Sequence, residues 1–266
     1  MNRVAALPMY NVTPALTACW RELLADVLRA VDRVEPAACI VEPGDDLAAF
    51  WRRPDLLLAQ TCGYPLTHGL QHVVQLVATP CFAAPGCDGS DYASVIVARA
   101  QGSLETLEQC RGARVAFNQR DSNSGFNALR HAVAPLARNG TFFGASLCTG
   151  SHAGSLQALA DGRADVAAID CVTMAFVRDE RPELAQHVRE IGWTRASPGL
   201  PLIASRDVAP RSVVALRAAL HEAVAAQPER ARRLKLTGFE VISLDGYARI
   251  TQLEDQAIAL GYPDLT

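Results

Sequence analysis

The chain has 266 residues, half of them hydrophobic and 20% charged, with a net charge of −3 and a pI near 6.1. It is long enough to bury a large core in one domain or two lobes, and its slight acidity offers no electrostatic basis for binding nucleic acid or an anionic membrane. No apolar run approaches the ~18 residues that cross a bilayer, so direct membrane insertion is not expected.

In chain order, short apolar runs alternate with amphipathic helical stretches, the pattern of an α/β fold. "RVAALPMY" reads as a strand. The spacing of Leu16, Trp20, Leu23, Val27 and Val31 predicts a helix from Pro14 to Val31, with Pro14 tolerated in the first turn. Strands are expected at 55–61 (DLLLAQT), at 92–100 (YASVIVARA), after HVVQLVATP and the loop GCDGSD, and at 114–118 (RVAFN). Between the last two, SLETLEQCRG reads as a short helix with an incomplete capping box, Ser103 and Thr106. FFGASLCTG (142–150) leads into a helix over 151–161, and ADVAAID (164–170) is a further buried strand. HVREIGWTRA and LPLIASRDV are read as strands, and the rest as helices over 210–226, 228–236 and 246–260.

The residues with chemical potential gather after consecutive strands. RVAFN runs into QRDSNSG and then an apolar helical stripe, a geometry that presents backbone N–H groups and a partial positive charge to an anion. Ser122, Asn123 and Ser124 add side-chain donors, and Gly125 lets a ligand approach the backbone. Ordinary N-capping is the other reading, although one polar residue would suffice for it. CTGSHAGSLQALADG repeats the arrangement with Thr149, Gly150, Ser151 and His152. In His152 a ring nitrogen could donate to an oxyanion, or the residue could be a surface or capping histidine. Two such helix starts would lie side by side at the carboxyl edge of one sheet, where α/β folds bind ligands. Asp170 closes its strand at the same edge, as a ligand partner or as a cap for the next helix. Tyr10 and Tyr64 end strands and read either as ligand walls or as half-buried tyrosines.

Catalytic and metal signals are poor. G-x-S-x-G, H-E-x-x-H and P-loop patterns are missing, and the six histidines do not cluster at ligand spacing, so no cofactor or metal is expected. Cys148 and His152 are four apart, but a strand position would turn Cys148 inward. The eight cysteines lack C-x-x-C spacing and read mostly as small buried hydrophobes, with a short Cys81–Cys87 disulfide as an option in an oxidising compartment.

Taken together, RDSNSG, TGSH and DGRADVAAID, with CRGARVAFN before them, resemble the motifs of the phosphonate-binding family. Its members are the phosphate, phosphite and phosphonate substrate-binding components of ABC importers. The resemblance covers roughly residues 92 to 200, and LPMYN and QTCGYPL resemble a subgroup of the family. It implies an α/β, two-lobed periplasmic-binding-protein fold of the second type, each lobe a mixed, mostly parallel sheet flanked by helices, with the ligand cleft between the lobes. Residues 1–91 and 197–266 would form one lobe and 92–196 the other, with crossings near Gly86–Tyr92 and Thr194–Pro201.

By motif, Ser122, Asn123, Ser124 and His152 would hold a small oxyanion-bearing ligand, and an ABC permease would be the partner. Asn123 departs from the hydroxyl residue usual in the family, which bears on the identity of the oxyanion. The opening residues, MNRVAALPMYN, lack the ~7–15-residue apolar core of a secretory leader. The expected location is therefore cytoplasmic as the sequence stands, or periplasmic after removal of a leader. Two other functions share the scaffold: a cytosolic biosynthetic enzyme acting on a phosphorylated or carboxylated substrate, with Asp170 or His152 as acid or base, and a cytosolic sensor module.

Overall fold

The computed structural model describes residues 2–265. They form two compact units: one comprises the residues up to Ala83 with Asp88–Ser90 and Pro198–Tyr247, and the other Ala84–Cys87, Asp91–Ser197 and the chain from Ala248 onward.

Among the described residues, the first unit carries a six-stranded sheet in the order Leu236–Glu240, Val74–Phe82, Leu202–Ser205, Leu56–Gln60, Val4–Ala6, Cys39–Ile40. Val4–Ala6 pairs in parallel with both of its neighbours, and the pairings of Leu202–Ser205 and Leu236–Glu240 are antiparallel. Leu56–Gln60 is buried at every position, which is why it reads as a continuous apolar run rather than an alternating one. The helix Pro14–Val31 starts where Thr13 accepts from the Leu16 N–H, and it buries Leu16, Trp20, Leu23, Leu24, Val27, Leu28 and Val31. It packs against the helix Pro210–Ala226. Each fully buried apolar side chain on that stripe contributes roughly 1.5–3 kcal/mol.

The second unit has a five-stranded sheet among its described residues, ordered Val188–Trp193, Ser94–Arg99, Val166–Asp170, Arg114–Phe117, Ala145–Cys148. The last three strands of that order run parallel to one another, and Ser94–Arg99 is antiparallel to both of its neighbours. Its core gathers Phe117, Phe126, Leu129, Val133, Phe142, Phe143 and Val166 together with Ala257, Tyr262 and Leu265.

Those last three residues correct the expected division, which gave all of 197–266 to the first lobe. The chain changes unit once more, after Tyr247 within the helix Leu244–Ala259. The physical reason is in the contacts. Asn127 donates to the Ile250 carbonyl, Arg130 donates to the Pro263 carbonyl and pairs with Glu254 at 3.0 Å, and Tyr262 and Leu265 are fully buried. An amphipathic pattern states that a helix has a buried face, and leaves open which sheet it covers.

Two elements also differ from expectation. Leu236, expected to close the helix over 228–236, instead opens the strand Leu236–Glu240, which pairs antiparallel with Val74–Phe82; Gly238 and a register shift between Leu236 and Gly238 interrupt the regular alternation by which strands are recognised. SLETLEQCRG forms only the short turn Glu108–Cys110, since the Gln109 side chain accepts from the Glu105 and Thr106 N–H groups.

Candidate functional site: two helix starts at one sheet edge

In the second unit the three parallel strands end at a common edge, and each leads into a helix start. Phe117 lies opposite Cys148 in register, and Arg114–Phe117 also pairs with Val166–Asp170. The carbonyls of Phe117 and Asn118 accept from the N–H groups of Thr149 and Gly150, so the two Ser/Gly-rich turns leave the sheet tied together. Gly150 adopts φ +83°, a left-handed conformation that glycine takes without strain.

The first start is more elaborate than a cap. Ser122 accepts from the Gly125 N–H at 3.1 Å. The next bonds, Asn127 N–H to the Ser122 carbonyl and Ala128 N–H to the Asn123 carbonyl, span five residues instead of four. This widened turn, Asn123–Asn127, precedes the regular helix Ala128–Val133. Such turns recur at functional sites, and first-turn N–H groups have no partner within their own helix.

Asn123 does not present its side chain as the motif suggested. It is 1% exposed. Its amide donates to Ser197 Oγ at 2.8 Å and to the Tyr92 hydroxyl at 3.2 Å, and its carbonyl oxygen accepts from the Asn127 amide at 3.1 Å. Asn127 accepts in turn from Arg130, which is itself buried and sits over the Phe126 ring. Asn123, Asn127 and Arg130 follow one another at spacings of four and three, a polar stripe on one helix face. That spacing was the available signal for this network, and the sequence reading missed it along with Tyr92 and Ser197.

Gly125 also has a different reason. A Cβ at this position would overlap Asn118 Oδ1 and lie 3.2 Å from His152 Cε1, so the glycine makes room for protein atoms that join the two turns. Asn118, the last residue of RVAFN, is a further position that the sequence reading left without a role.

The second start is the helix His152–Ala160, capped by Ser151, whose hydroxyl accepts from the Gly154 N–H at 3.0 Å. The Thr149 hydroxyl is taken up locally, by the Phe117 carbonyl at 3.1 Å and Ser155 Oγ at 2.7 Å, so it fixes the turn. His152 bridges the two starts: its Nε2 lies 2.8 Å from Ser124 Oγ. The Ser124 carbonyl accepts from Ser94 Oγ at 3.0 Å, which pins that residue from its other side. Burial pushes the His152 imidazole down to about 4, against a smaller opposing effect of the Ala168 carbonyl. At neutral pH the ring is therefore uncharged, and it joins Ser124 as a neutral donor–acceptor pair.

Asp170 is 1% exposed and caps the helix Cys171–Glu180, accepting from the N–H groups of Val172 at 2.8 Å and Thr173 at 3.0 Å. Cys148 is exposed on its edge strand, contrary to the inward packing expected, and its thiol bonds to the Asn118 carbonyl. The two tyrosines belong to the first unit. Tyr10 is 2% exposed, with its ring stacked on Trp20 and edge-on to Phe82, in the core. Tyr64 is half-buried and stacks on His68 with ring centroids 3.8 Å apart.

The mixed sheets flanked by helices have the fold of the type II periplasmic binding proteins. Residues 53–247 match the model of the family described as ABC transporter, phosphonate, periplasmic substrate-binding protein, and the chain belongs to that family.

Solved structures agree on the fold. The chain is similar to a binding protein component of an ABC phosphonate transporter (PA3383) from Pseudomonas aeruginosa, with TM-score 0.79, 20% identity, and 98% of this chain and 88% of that one covered. It is also similar to PhnD1 from Prochlorococcus marinus in complex with methylphosphonate, with TM-score 0.75, 15% identity and coverage of 96% and 97%. A third is XAC2383 from Xanthomonas citri bound to ATP, with TM-score 0.71, 17% identity and 97% of each chain covered. No curated protein matches the sequence. The protein is thus a substrate-binding protein of the ABC phosphonate-importer type, and the enzyme alternative has no support from these relatives. The family's periplasmic assignment supports the same location for this chain. Among the described residues, no helix is long and apolar enough to cross a membrane.

Proposed function

We propose that the two helix starts of the second unit, Ser122–Gly125 and Ser151–His152, hold the oxyanion headgroup of a small phosphonate or phosphate-class solute, which the protein presents to an ABC permease on the outer side of the membrane. The observation that carries this reading is the Ser124–His152 hydrogen bond, which joins two polar helix starts 28 residues apart in sequence. First-turn N–H groups supply fixed donors and the helix dipole favours negative charge. Ser124 and His152 add donors that reorient when an anion arrives. Ser122 and Ser151 act chiefly as caps, and Asn123 contributes through its backbone while its amide holds the turn. Thr149 and Asp170 shape the edge without donating side chains to the ligand. For Tyr10 and Tyr64, ligand-wall roles rest on the sequence motif alone.

Isothermal calorimetry with phosphate, phosphite, methylphosphonate and an alkanesulfonate tests this reading. Each charge-assisted bond contributes about 1.5–3 kcal/mol, so Ser124→Ala and His152→Ala should each weaken binding by roughly 10- to 100-fold. Unchanged affinity in both variants would place the anion elsewhere, and no heat from any of the four with folded protein would overturn the ligand class.

A further inference from the structure

The cysteines give an outcome that no spacing rule indicated. Cys87 does not turn to Cys81, whose thiol lies 4.0 Å from the Thr79 carbonyl. Cys87 Sγ lies 3.4 Å from Cys171 Sγ, across 84 positions of sequence. Both belong to the second unit, Cys87 at the end of the short segment Ala84–Cys87 and Cys171 as the first residue of the helix Cys171–Glu180.

Independent contacts hold the segment against that helix. Gly86 has φ +94°, and a Cβ there would overlap the Trp193 ring and lie 3.1 Å from Cys171 Cβ. The Gly86 carbonyl accepts from the Ala93 N–H at 2.9 Å, and the Ala93 carbonyl accepts from the Cys171 N–H at 3.2 Å. Backbone bonds on both sides therefore fix the approach of the two thiols, and small side-chain rotations would bring the sulfurs to the ~2.05 Å of a disulfide bond.

We propose that Cys87 and Cys171 are a disulfide-forming pair that fastens the segment Ala84–Cys87 to the start of the helix Cys171–Glu180. The co-reactant is a disulfide oxidant, either a low-molecular-weight disulfide or a thiol–disulfide oxidoreductase. Cys87 is half-buried and within reach of solvent, whereas Cys171 is 2% exposed. The Cys171 thiol is also pushed up by its hydrogen bond with Cys87, by burial and by the neighbouring Asp170 charge. Cys87 is accordingly the attacking group. Its thiolate displaces one half of the oxidant as a thiol and forms a mixed disulfide. Cys171 then loses its proton, attacks the Cys87 sulfur and releases the second half. Two protein thiols are oxidised to one disulfide, and the oxidant disulfide is reduced to two thiols. The bond closes a long loop, so the oxidised chain should resist unfolding more than the reduced one.

The full chain is equilibrated with oxidised glutathione or with dithiothreitol, alkylated under denaturing conditions, digested and analysed by mass spectrometry, with thermal melts taken in parallel. The expected result is a linked pair of peptides carrying Cys87 and Cys171 in the oxidised sample, and a melting temperature at least ~5 °C higher than in the reduced sample. Cys87→Ser should abolish both effects, and Cys81→Ser neither. Unlinked peptides after oxidation, Cys87 linked to any other cysteine, or equal melting temperatures in the two wild-type samples would overturn the proposal. The wild-type comparison stands even if the Cys87→Ser variant folds poorly.

Discussion

The two helix starts of the second unit are made of similar residues and use them differently. At the first, Ser122, Asn123 and Ser124 are all at or below 5% exposure, and their side chains are bonded within the unit. At the second, Ser151 is exposed and its hydroxyl does no more than cap, while the working side chain is His152, reaching back to Ser124. The difference teaches that a polar-rich turn cannot be counted as a set of ligand donors. Most of its side chains are needed to hold the backbone in position, and the backbone presents the N–H groups.

Removing the anchor of the first start should have the largest effect. Asn123→Ala removes one buried hydrogen bond each from Tyr92, Ser197 and Asn127 and should cost about 2–4 kcal/mol in urea unfolding. A cost below about 1 kcal/mol would show that the amide is not an anchor.

The next effect is in pH. Burial holds the folded His152 pKa, about 4, below the ordinary value near 6.5. The stabilisation from keeping it neutral is complete above ~6.5 and is lost as pH falls from there towards 4. It amounts to at most about 3 kcal/mol. His152→Gln should flatten that part of the stability–pH curve, and an unchanged slope would assign the acid sensitivity to other groups.

Smaller again is Gly125→Ala, which must displace Asn118 or His152 and should cost about 1–3 kcal/mol by overpacking. Smallest is Ser151→Ala, the loss of one exposed cap at about 1 kcal/mol. Chemical denaturation of the two variants side by side should preserve that order. The reverse order would mean that the second start, not the first, is the rigid one.

Much of the fold was legible in the sequence because it rests on local patterns. The helix Pro14–Val31 follows from its apolar stripe and from Pro14 in the first turn, and Leu56–Gln60 and Val166–Asp170 follow from short unbroken apolar runs. The pairing of the helix starts was readable too, because each follows a strand. What Asn123 and Gly125 do was not readable, and for Asp170 the residue types left the ligand partner and the helix cap equally open. A buried amide, a packing glycine and a helix cap share their residue types with ligand contacts, and only their neighbours in space tell them apart.

By itself, then, the sequence determined the alternation of strands and helices, the family motifs and the two Ser/Gly-rich turns, all of which depend on residues close together in the chain. The tertiary structure alone decided that Ala257, Tyr262 and Leu265 complete the core of the second unit, that Asn123 faces Tyr92 and Ser197, and that Cys87 meets Cys171. Each of these joins residues that lie tens of positions apart. Such pairings are fixed by how sheets and helices bury their faces together, and the spacing of residues along one element does not encode that choice.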